Sequence, residues 1–176
     1  FMNKNKYILG VHSGHDSSAC LLVNNKVEVA IARERLTRKK HDSGEPIECI
    51  EYILHSAKLQ KKDIDLVIRS NWYNSCELND EYYNNFPKVI VTHEHHKFHA
   101  YAASTVAREL PCIILVVDGR GCRPEDISSF DANNLGGQNL FEVESVYIYD
   151  GVNMTPAEKR FSKHYKHKYK WGSHVD

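Results

Sequence analysis

Two histidines four residues apart mark the stretch of this sequence best suited to chemistry, residues 92–99 (THEHHKFH). The stretch follows a short apolar run and opens a helix-like segment that reaches Leu110. On a helix, His95 and His99 lie one turn apart with their rings on the same side. Two imidazoles so placed can share one divalent metal ion, completed by oxygen ligands from elsewhere in the fold. The same spacing also suits two solvated or hydrogen-bonded histidines.

An aspartate that could complete such a site ends the strand-like run at 112–117. Asp118 begins the segment Asp118-Gly119-Arg120-Gly121. One carboxylate and two imidazoles accept iron, zinc or manganese, so these residues alone leave the identity of the metal open. Gly119 and Gly121 leave backbone N–H groups open to a phosphate, which Arg120 could either bind or block.

The composition is that of a globular domain, or of one domain and part of another. The 176 residues include 23 Lys and Arg and 23 Asp and Glu, so the formal net charge is zero, and 41% are hydrophobic. No apolar run approaches the length of a membrane span, and the start of the sequence lacks a signal-peptide core. We therefore expect a cytoplasmic protein with no membrane partner.

The order of the predicted elements indicates an α/β fold. Apolar runs predict strands at 7–11, 19–23 and 27–31, a helix from 46 to about 59, and strands at 65–70 and 87–92 before the histidine helix. This order resembles a ribonuclease H-like unit of the actin and sugar-kinase superfamily, in which two such units bind nucleotide between them. We expect a first subdomain over 2–110 and the beginning of a second, incomplete one over 111–176, with strands at 112–117 and 141–150.

The histidine helix carries His95, His99, Ala102, Val106 and Leu110 on one face. Small and apolar members of such a face pack inward, so we expect the two histidines of its first turn to point into the protein. This placement favours a binding site over a solvated pair.

Four blocks of the sequence, in order, resemble the N-terminal part of the nodulation-type O-carbamoyltransferases, relatives of the tRNA threonylcarbamoyl-transfer proteins. The blocks are Ile8–Leu22 (ILGVHSGHDSSACLL), Glu34–Asp42 (ERLTRKKHD), His95–Ala100 (HHKFHA) and Ile114–Gly121 (ILVVDGRG). The resemblance is good over residues 7–59 and 89–121, and weak over 71–86 and beyond 122.

The resemblance implies an enzyme with two modules. A C-terminal module would make carbamoyl adenylate from carbamoyl phosphate and ATP. The N-terminal module, which this chain resembles, would transfer the carbamoyl group to a hydroxyl of a small-molecule acceptor. The resemblance also implies a metal, usually iron, on His95, His99, Asp118 and a further aspartate downstream of this chain. The adenylate-forming domain is then expected in the rest of the protein or in a partner chain, and an incomplete second subdomain favours a homo-oligomer.

The turn after the first strand, residues 12–16, is where the fold that this chain resembles presents side chains to its cleft. His15 is the candidate base or acceptor-binding group, and Asp16 is the partner that would orient it; both could instead cap the turn. Lys39 and Lys40 resemble the family's basic run and could meet the carbamoyl or phosphate group, or they could form a solvated charge run.

Two other functions stay open from the sequence alone. A split or degenerate copy would bind nucleotide or a partner subunit without catalysis. Threonylcarbamoyl transfer to tRNA is a third candidate, although the start HSGHDSSA fits the branch acting on small molecules better. Residues 159–171 hold six Lys or Arg among aromatic residues and no acid, a mix that can bind single-stranded nucleic acid. A solvated strand edge or helix face explains it better, so nucleic acid is not expected as a partner.

Overall fold

The computed structural model describes residues 5–71, 80–127 and 139–163. The chain forms two compact units, residues 1–93 and 94–176. The boundary expected from the sequence lies later, between 110 and 111, after the histidine helix. That helix groups with the second unit because it packs on the first strand of the second sheet.

The first unit is built on a five-stranded sheet of order β3-β2-β1-β4-β5. The strands are β1 (Tyr7–Ser13), β2 (Ser18–Val23), β3 (Lys26–Ala32), β4 (Leu66–Asn71) and β5 (Val89–Thr92). β1, β4 and β5 run parallel, and β2 runs antiparallel to both β1 and β3. This is the strand arrangement of a ribonuclease H-like unit, and the predicted fold class is confirmed.

Local sequence explains the elements of the first unit. Asn24 and Asn25 form a tight turn between β2 and β3, and both have positive φ, as a two-residue hairpin of this type requires. Helix α2 (Ile47–Ala57) follows Pro46 and buries Cys49, Ile50, Ile53 and Leu54 against the sheet. Two shorter helices, α1 (Arg33–Thr37) and α3 (Asp80–Tyr83), were not predicted because they are too short to show a helical period.

The second unit contains helix α4 (His95–Ser104) and an antiparallel sheet of order β6-β7-β8. Its strands are β6 (Cys112–Val117), β7 (Leu140–Tyr149) and β8 (Met154–Lys163). The core is formed by Ala100 of α4 with Ile114, Val116, Tyr147 and Met154. The sheet is a second three-stranded meander, and it contains the strands predicted at 112–117 and 141–150.

Helix α4 differs from the prediction in its length and in its buried face. It ends at Ser104, because the hydroxyls of Ser104 and Thr105 donate to carbonyls three residues earlier and compete with the helical N–H groups. The buried residues are His96 and Ala100. Of the residues predicted to point inward, Ala102, Val106 and Leu110 are exposed, the side chain of His99 is 53% exposed and that of His95 is 15% exposed. The prediction of that face was wrong, because the buried side of α4 is selected by polar partners in β7 rather than by apolar size.

The described part of the chain contains no helix that is both long and apolar enough to cross a membrane. The basic segment 159–171 is only partly described: residues 159–163 belong to β8, and its remainder lies outside the described residues.

Candidate functional site

The second unit brings together the three metal-ligand candidates. Nε2 of His95 lies 2.8 Å from Oδ2 of Asp118 and 3.0 Å from Nε2 of His99. The distance from Nε2 of His99 to Oδ2 of Asp118 is 3.6 Å. Atoms bound to one metal ion at about 2.0–2.2 Å lie about 3 Å apart, so this set of two nitrogens and one oxygen fits a divalent cation.

Neighbouring backbone groups position these ligands. The backbone N–H of His95 donates to Sγ of Cys122 at 3.1 Å, at the start of α4. Oδ1 of Asp118 accepts the N–H of Gly119 at 2.6 Å, so its other oxygen faces the histidines. The hydrogen bond with His95 lowers the pKa of Asp118 to about 2, and burial lowers the pKa of His99. An ionised carboxylate and a neutral imidazole are the forms that bind metal.

A buried polar network in the second unit supports α4, and sequence reasoning did not identify it. The hydroxyl of Ser145 donates to Oε1 of Glu142 at 2.5 Å, and its oxygen lies 2.9 Å from Nδ1 of His96. Nζ of Lys159 donates to the same Oε1 and, at 2.7 Å, to the hydroxyl oxygen of Tyr147. Burial lowers the pKa of His96 to about 4, so this ring stays neutral. His96 lies 49 positions before Ser145, and Lys159 lies 17 positions after Glu142 and 12 after Tyr147, so no local pattern reveals the network.

The two glycines expected to bind phosphate have different surroundings. A Cβ on Gly121 would lie 2.7 Å from Nε2 of His96, so this position must be glycine for packing, whereas a Cβ on Gly119 would meet nothing within 4 Å. The N–H of Gly121 donates to the carbonyl of Glu142, and that of Gly119 to Asp118. Both N–H groups thus donate to acceptors within the chain. Their binding to a nucleotide phosphate stays a prediction, and it would require each N–H to exchange its present acceptor for a phosphate oxygen.

In the first unit, His15 and Asp16 lie at the end of β1, where they form the expected pair. Nδ1 of His15 is 2.7 Å from Oδ2 of Asp16. A third residue joins them: Nδ1 of His41 lies 2.7 Å from Oδ1 of the same carboxylate. These hydrogen bonds, first that with His15 and then that with His41, lower the pKa of Asp16.

Sequence reasoning placed two lysines near this pair and missed the histidine beside them. Lys39 and Lys40 are exposed, and among the described residues neither forms a hydrogen bond or ion pair with His15 or Asp16. Their predicted contact with a carbamoyl or phosphate group stays a prediction. The available signal for His41 was its place at the end of the RKKH segment within the second block of resemblance.

Relatives of known sequence include two uncharacterized proteins. The chain is 28% identical over 148 residues to MJ1051 of Methanocaldococcus jannaschii, an alignment that covers 82% of this chain and 28% of that protein. It is 38% identical over 63 residues to sll1178 of a Synechocystis strain, covering 35% of this chain and 10% of that protein. The chain therefore spans less than a third of the length of these curated relatives.

Two solved structures from Pseudomonas aeruginosa are similar in outline, namely YeaZ and an uncharacterized protein with similarity to the peptidase YeaZ. Their sequence identities to this chain are 7% and 8%, and their TM-scores are 0.49 and 0.48. Each superposition covers 94% of this chain and 71% or 70% of the other. Likeness at this level says nothing of function.

A family model gives the decisive comparison. The model described as carbamoyltransferase N-terminus matches residues 7–94, which is half of the chain and nearly the whole of the first unit. The match includes His15, Asp16 and His41. The chain belongs to the carbamoyltransferase N-terminus family.

Proposed function

We propose that this chain is the transfer part of an O-carbamoyltransferase. It would move the carbamoyl group of carbamoyl adenylate, made from carbamoyl phosphate and ATP, to a hydroxyl of a small-molecule acceptor. The observation that carries the proposal is the family match over residues 7–94. The hydrogen-bonded His15 and Asp16 within that match supply the groups that such a transfer needs.

The reaction requires one proton acceptor at the acceptor hydroxyl. The acceptor oxygen forms a bond to the carbamoyl carbon, the bond from that carbon to the phosphate oxygen breaks, and AMP leaves with the electron pair. Asp16, an ionised carboxylate, accepts the Nδ1–H of His15 and holds the tautomer whose Nε2 can take the hydroxyl proton. His12 steadies this turn, because its Nδ1 lies 2.7 Å from the Ser70 hydroxyl and its Nε2 lies 3.2 Å from the carbonyl of His15.

The proposal includes a divalent cation, iron by resemblance, held by Nε2 of His95, Nε2 of His99 and Oδ2 of Asp118. Such an ion would supply positive charge for phosphate or carbonyl oxygens. The convergence of the three donor atoms in the second unit supports this part of the proposal.

Carbamoyl adenylate must come from another polypeptide segment. An adenylate-forming domain elsewhere in a longer protein, or in a partner chain, would provide it, and the much greater length of the curated relatives is compatible with either source. Lys39 and Lys40 are proposed to reach the carbamoyl or phosphate group once this substrate is bound.

An acceptor-dependent transfer assay tests the proposal. The chain is combined with an adenylate-forming domain, labelled carbamoyl phosphate, ATP and pools of hydroxyl compounds. We expect label in an acceptor product, and a loss of about a hundredfold or more in His15→Gln, as general-base catalysis contributes 10²–10⁴-fold. His55→Gln, on the exposed face of α2, is the matched control. Nucleotide binding without product in any pool would favour the non-catalytic copy instead.

A further inference from the structure

The loop after α1 brings His41 to a carboxylate 25 residues earlier in the chain. Oδ1 of Asp16 lies 2.7 Å from Nδ1 of His41, and Oδ2 lies 2.7 Å from Nδ1 of His15. One carboxylate therefore serves two imidazoles, one on each oxygen.

Backbone contacts, and not the side chains alone, set this arrangement. The N–H of Ser17 donates to the carbonyl of Asp42 at 3.2 Å, and the N–H of Gly44 donates to that of Gly14 at 3.0 Å. The hydroxyl of Ser17 also reaches the carbonyls of Gly14 and Gly44, at 2.7 and 2.6 Å. The turn after β1 and the loop after α1 are thus joined on both sides of the pair.

Both partners adopt a backbone conformation that is uncommon for residues other than glycine. Asp16 and His41 each have φ 55°, in the left-handed region. The left-handed conformation is strained for a residue with a side chain, so the surrounding structure has to enforce it, although Asp and His tolerate it better than most other residues. The backbone N–H of His41 donates to Oε2 of Glu34 at 3.0 Å, which fixes the orientation of His41 from the other side.

The chemistry of the carboxylate determines the tautomer of both rings. An ionised carboxylate only accepts hydrogen bonds, so each imidazole must donate to it through Nδ1–H. In the neutral imidazole, Nε2 then carries the lone pair. Asp16 therefore selects, in both rings, the tautomer that a base needs.

We propose that His41 is a positioning residue of the acceptor site, which acts through Asp16 on His15. By occupying Oδ1, it fixes the rotation of a carboxylate that is about half exposed, with 48% of its side chain accessible, and directs Oδ2 to the Nδ1–H of His15. The step in which His15 takes the proton of the acceptor hydroxyl rests on the proposed function. The hydrogen-bonded unit of His15, Asp16 and His41 does not.

The same atoms also permit a different occupant. Asp16, Glu34 and His41 each offer a ligand atom within 4.8 Å of the others, as a divalent cation would require. A cation on Nδ1 of His41 would replace the proton that the proposal places there. The hydrogen-bonded and the cation-bound arrangements are therefore mutually exclusive, and the presence or absence of a proton on Nδ1 of His41 distinguishes them.

Nitrogen-15 spectra of the histidine rings of this chain test the proposal without any need for activity. At a pH where the rings are neutral, with a chelator present, we expect His15 and His41 both as Nδ1–H tautomers. In His41→Ala the tautomer of His15 should become mixed, and in His41→Asn, whose amide N–H can reach the same oxygen, it should be retained. His55→Ala is the matched control, and circular dichroism verifies that each variant is folded.

Three results would overturn the proposal: Nε2–H on His41 in the wild type, an unchanged His15 tautomer in His41→Ala, or loss of the Nδ1 proton of His41 when Zn²⁺ alone is added. In the transfer assay, His41→Ala should lower kcat by up to about a hundredfold with KM little changed, as a small misplacement of a reacting group does. If no carbamoyl transfer is found but the tautomers are as expected, the proposed function fails while the hydrogen-bonded unit stands.

Discussion

The histidine clusters of the two units differ in which ring nitrogen meets the carboxylate. In the second unit, Nε2 of His95 and Nε2 of His99 converge on a single oxygen of Asp118. In the first, Nδ1 of His15 and Nδ1 of His41 take separate oxygens of Asp16. Nitrogen and oxygen atoms that converge, as around Asp118, suit the binding of a cation. A carboxylate that accepts one N–H on each oxygen, as Asp16 does, suits control of which ring nitrogen carries the proton.

The two clusters also differ in the groups that hold their side chains in place. Two of the metal candidates, His95 and His99, lie on helix α4, which buried polar groups support: the side chains of Lys159 and Glu142 are 2% and 1% exposed. The His41 side chain is 66% exposed and is placed by backbone hydrogen bonds between two loops. Substitutions of the buried polar groups that support α4 should therefore alter stability. Substitutions within the cluster around Asp16 should alter proton positions with little effect on stability.

The largest expected effect comes from the buried ion pair of the second unit. Lys159→Met leaves the carboxylate of Glu142 buried without its cation, and we expect a loss of about 3–5 kcal/mol in the free energy of unfolding. Arg160→Met is the matched control on the same strand, because Arg160 pairs with Glu144 and Glu158 at an exposed position and should contribute under about 1 kcal/mol. Urea denaturation measures both, and equal losses would contradict the buried role of Lys159.

Removal of the charge of the metal candidate Asp118 should have the next largest effect. We expect Asp118→Asn to weaken metal affinity by about a hundredfold, because even loss of a residue that only orients a ligand weakens affinity ten- to a hundredfold. That factor corresponds to about 2.7 kcal/mol. Asp126→Asn, an exposed aspartate of the same unit, is the control in a titration with Co²⁺ followed by absorption. Unchanged affinity in Asp118→Asn would remove this residue from the site.

The two glycines after Asp118 provide a sharper test of the support behind α4. Gly121→Ala places a methyl group against buried His96 and Glu142, with about 1–3 kcal/mol expected for overpacking. Gly119→Ala meets nothing and should change stability by less than about 0.5 kcal/mol. Thermal unfolding of the pair checks this. Equal behaviour of the two variants would mean that His96 does not occupy the space beside Gly121.

The smallest effect concerns the acid titration of Asp16. Because the folded chain holds the pKa of Asp16 below its usual 3.8, its contribution to stability is present above that value and lost as the pH falls through the lowered pKa. His41→Ala removes one of the two hydrogen bonds, so the pKa of Asp16 should rise toward 3.8. Carbon-13 titration of the carboxyl group measures it, with His55→Ala as control. A pKa unmoved by the substitution would mean that His41 does not bond to Asp16 in solution.

Local patterns were sufficient to predict most of the framework. The strands β1, β2, β4 and β6 are recognisable as short apolar runs in the sequence, and Pro46 marks the start of α2. The spacing of His95 and His99 likewise brings their rings together through the geometry of one helical turn.

The parts that sequence reasoning missed depend on distant partners. His96 is selected as the buried residue of α4 by Ser145, which lies 49 residues later, and a polar partner leaves no trace in hydrophobic periodicity. The meeting of Asp16 and His41 depends on two loops with left-handed residues, which no period predicts. The inward position assigned to Ala102 failed for the same reason, and Val106 lies beyond the end of α4 at Ser104.

Metal content tests the contrast between the two clusters most directly. Wild type, His95→Ala/His99→Ala and His15→Ala/His41→Ala are equilibrated with Fe²⁺ without oxygen, desalted and measured by mass spectrometry, all without an affinity tag of histidines. We predict about one equivalent in the wild type, none in the first variant and about one in the second, since each site's affinity depends on its own ligands. Metal retained after loss of His95 and His99, or lost with His15 and His41, would contradict the account.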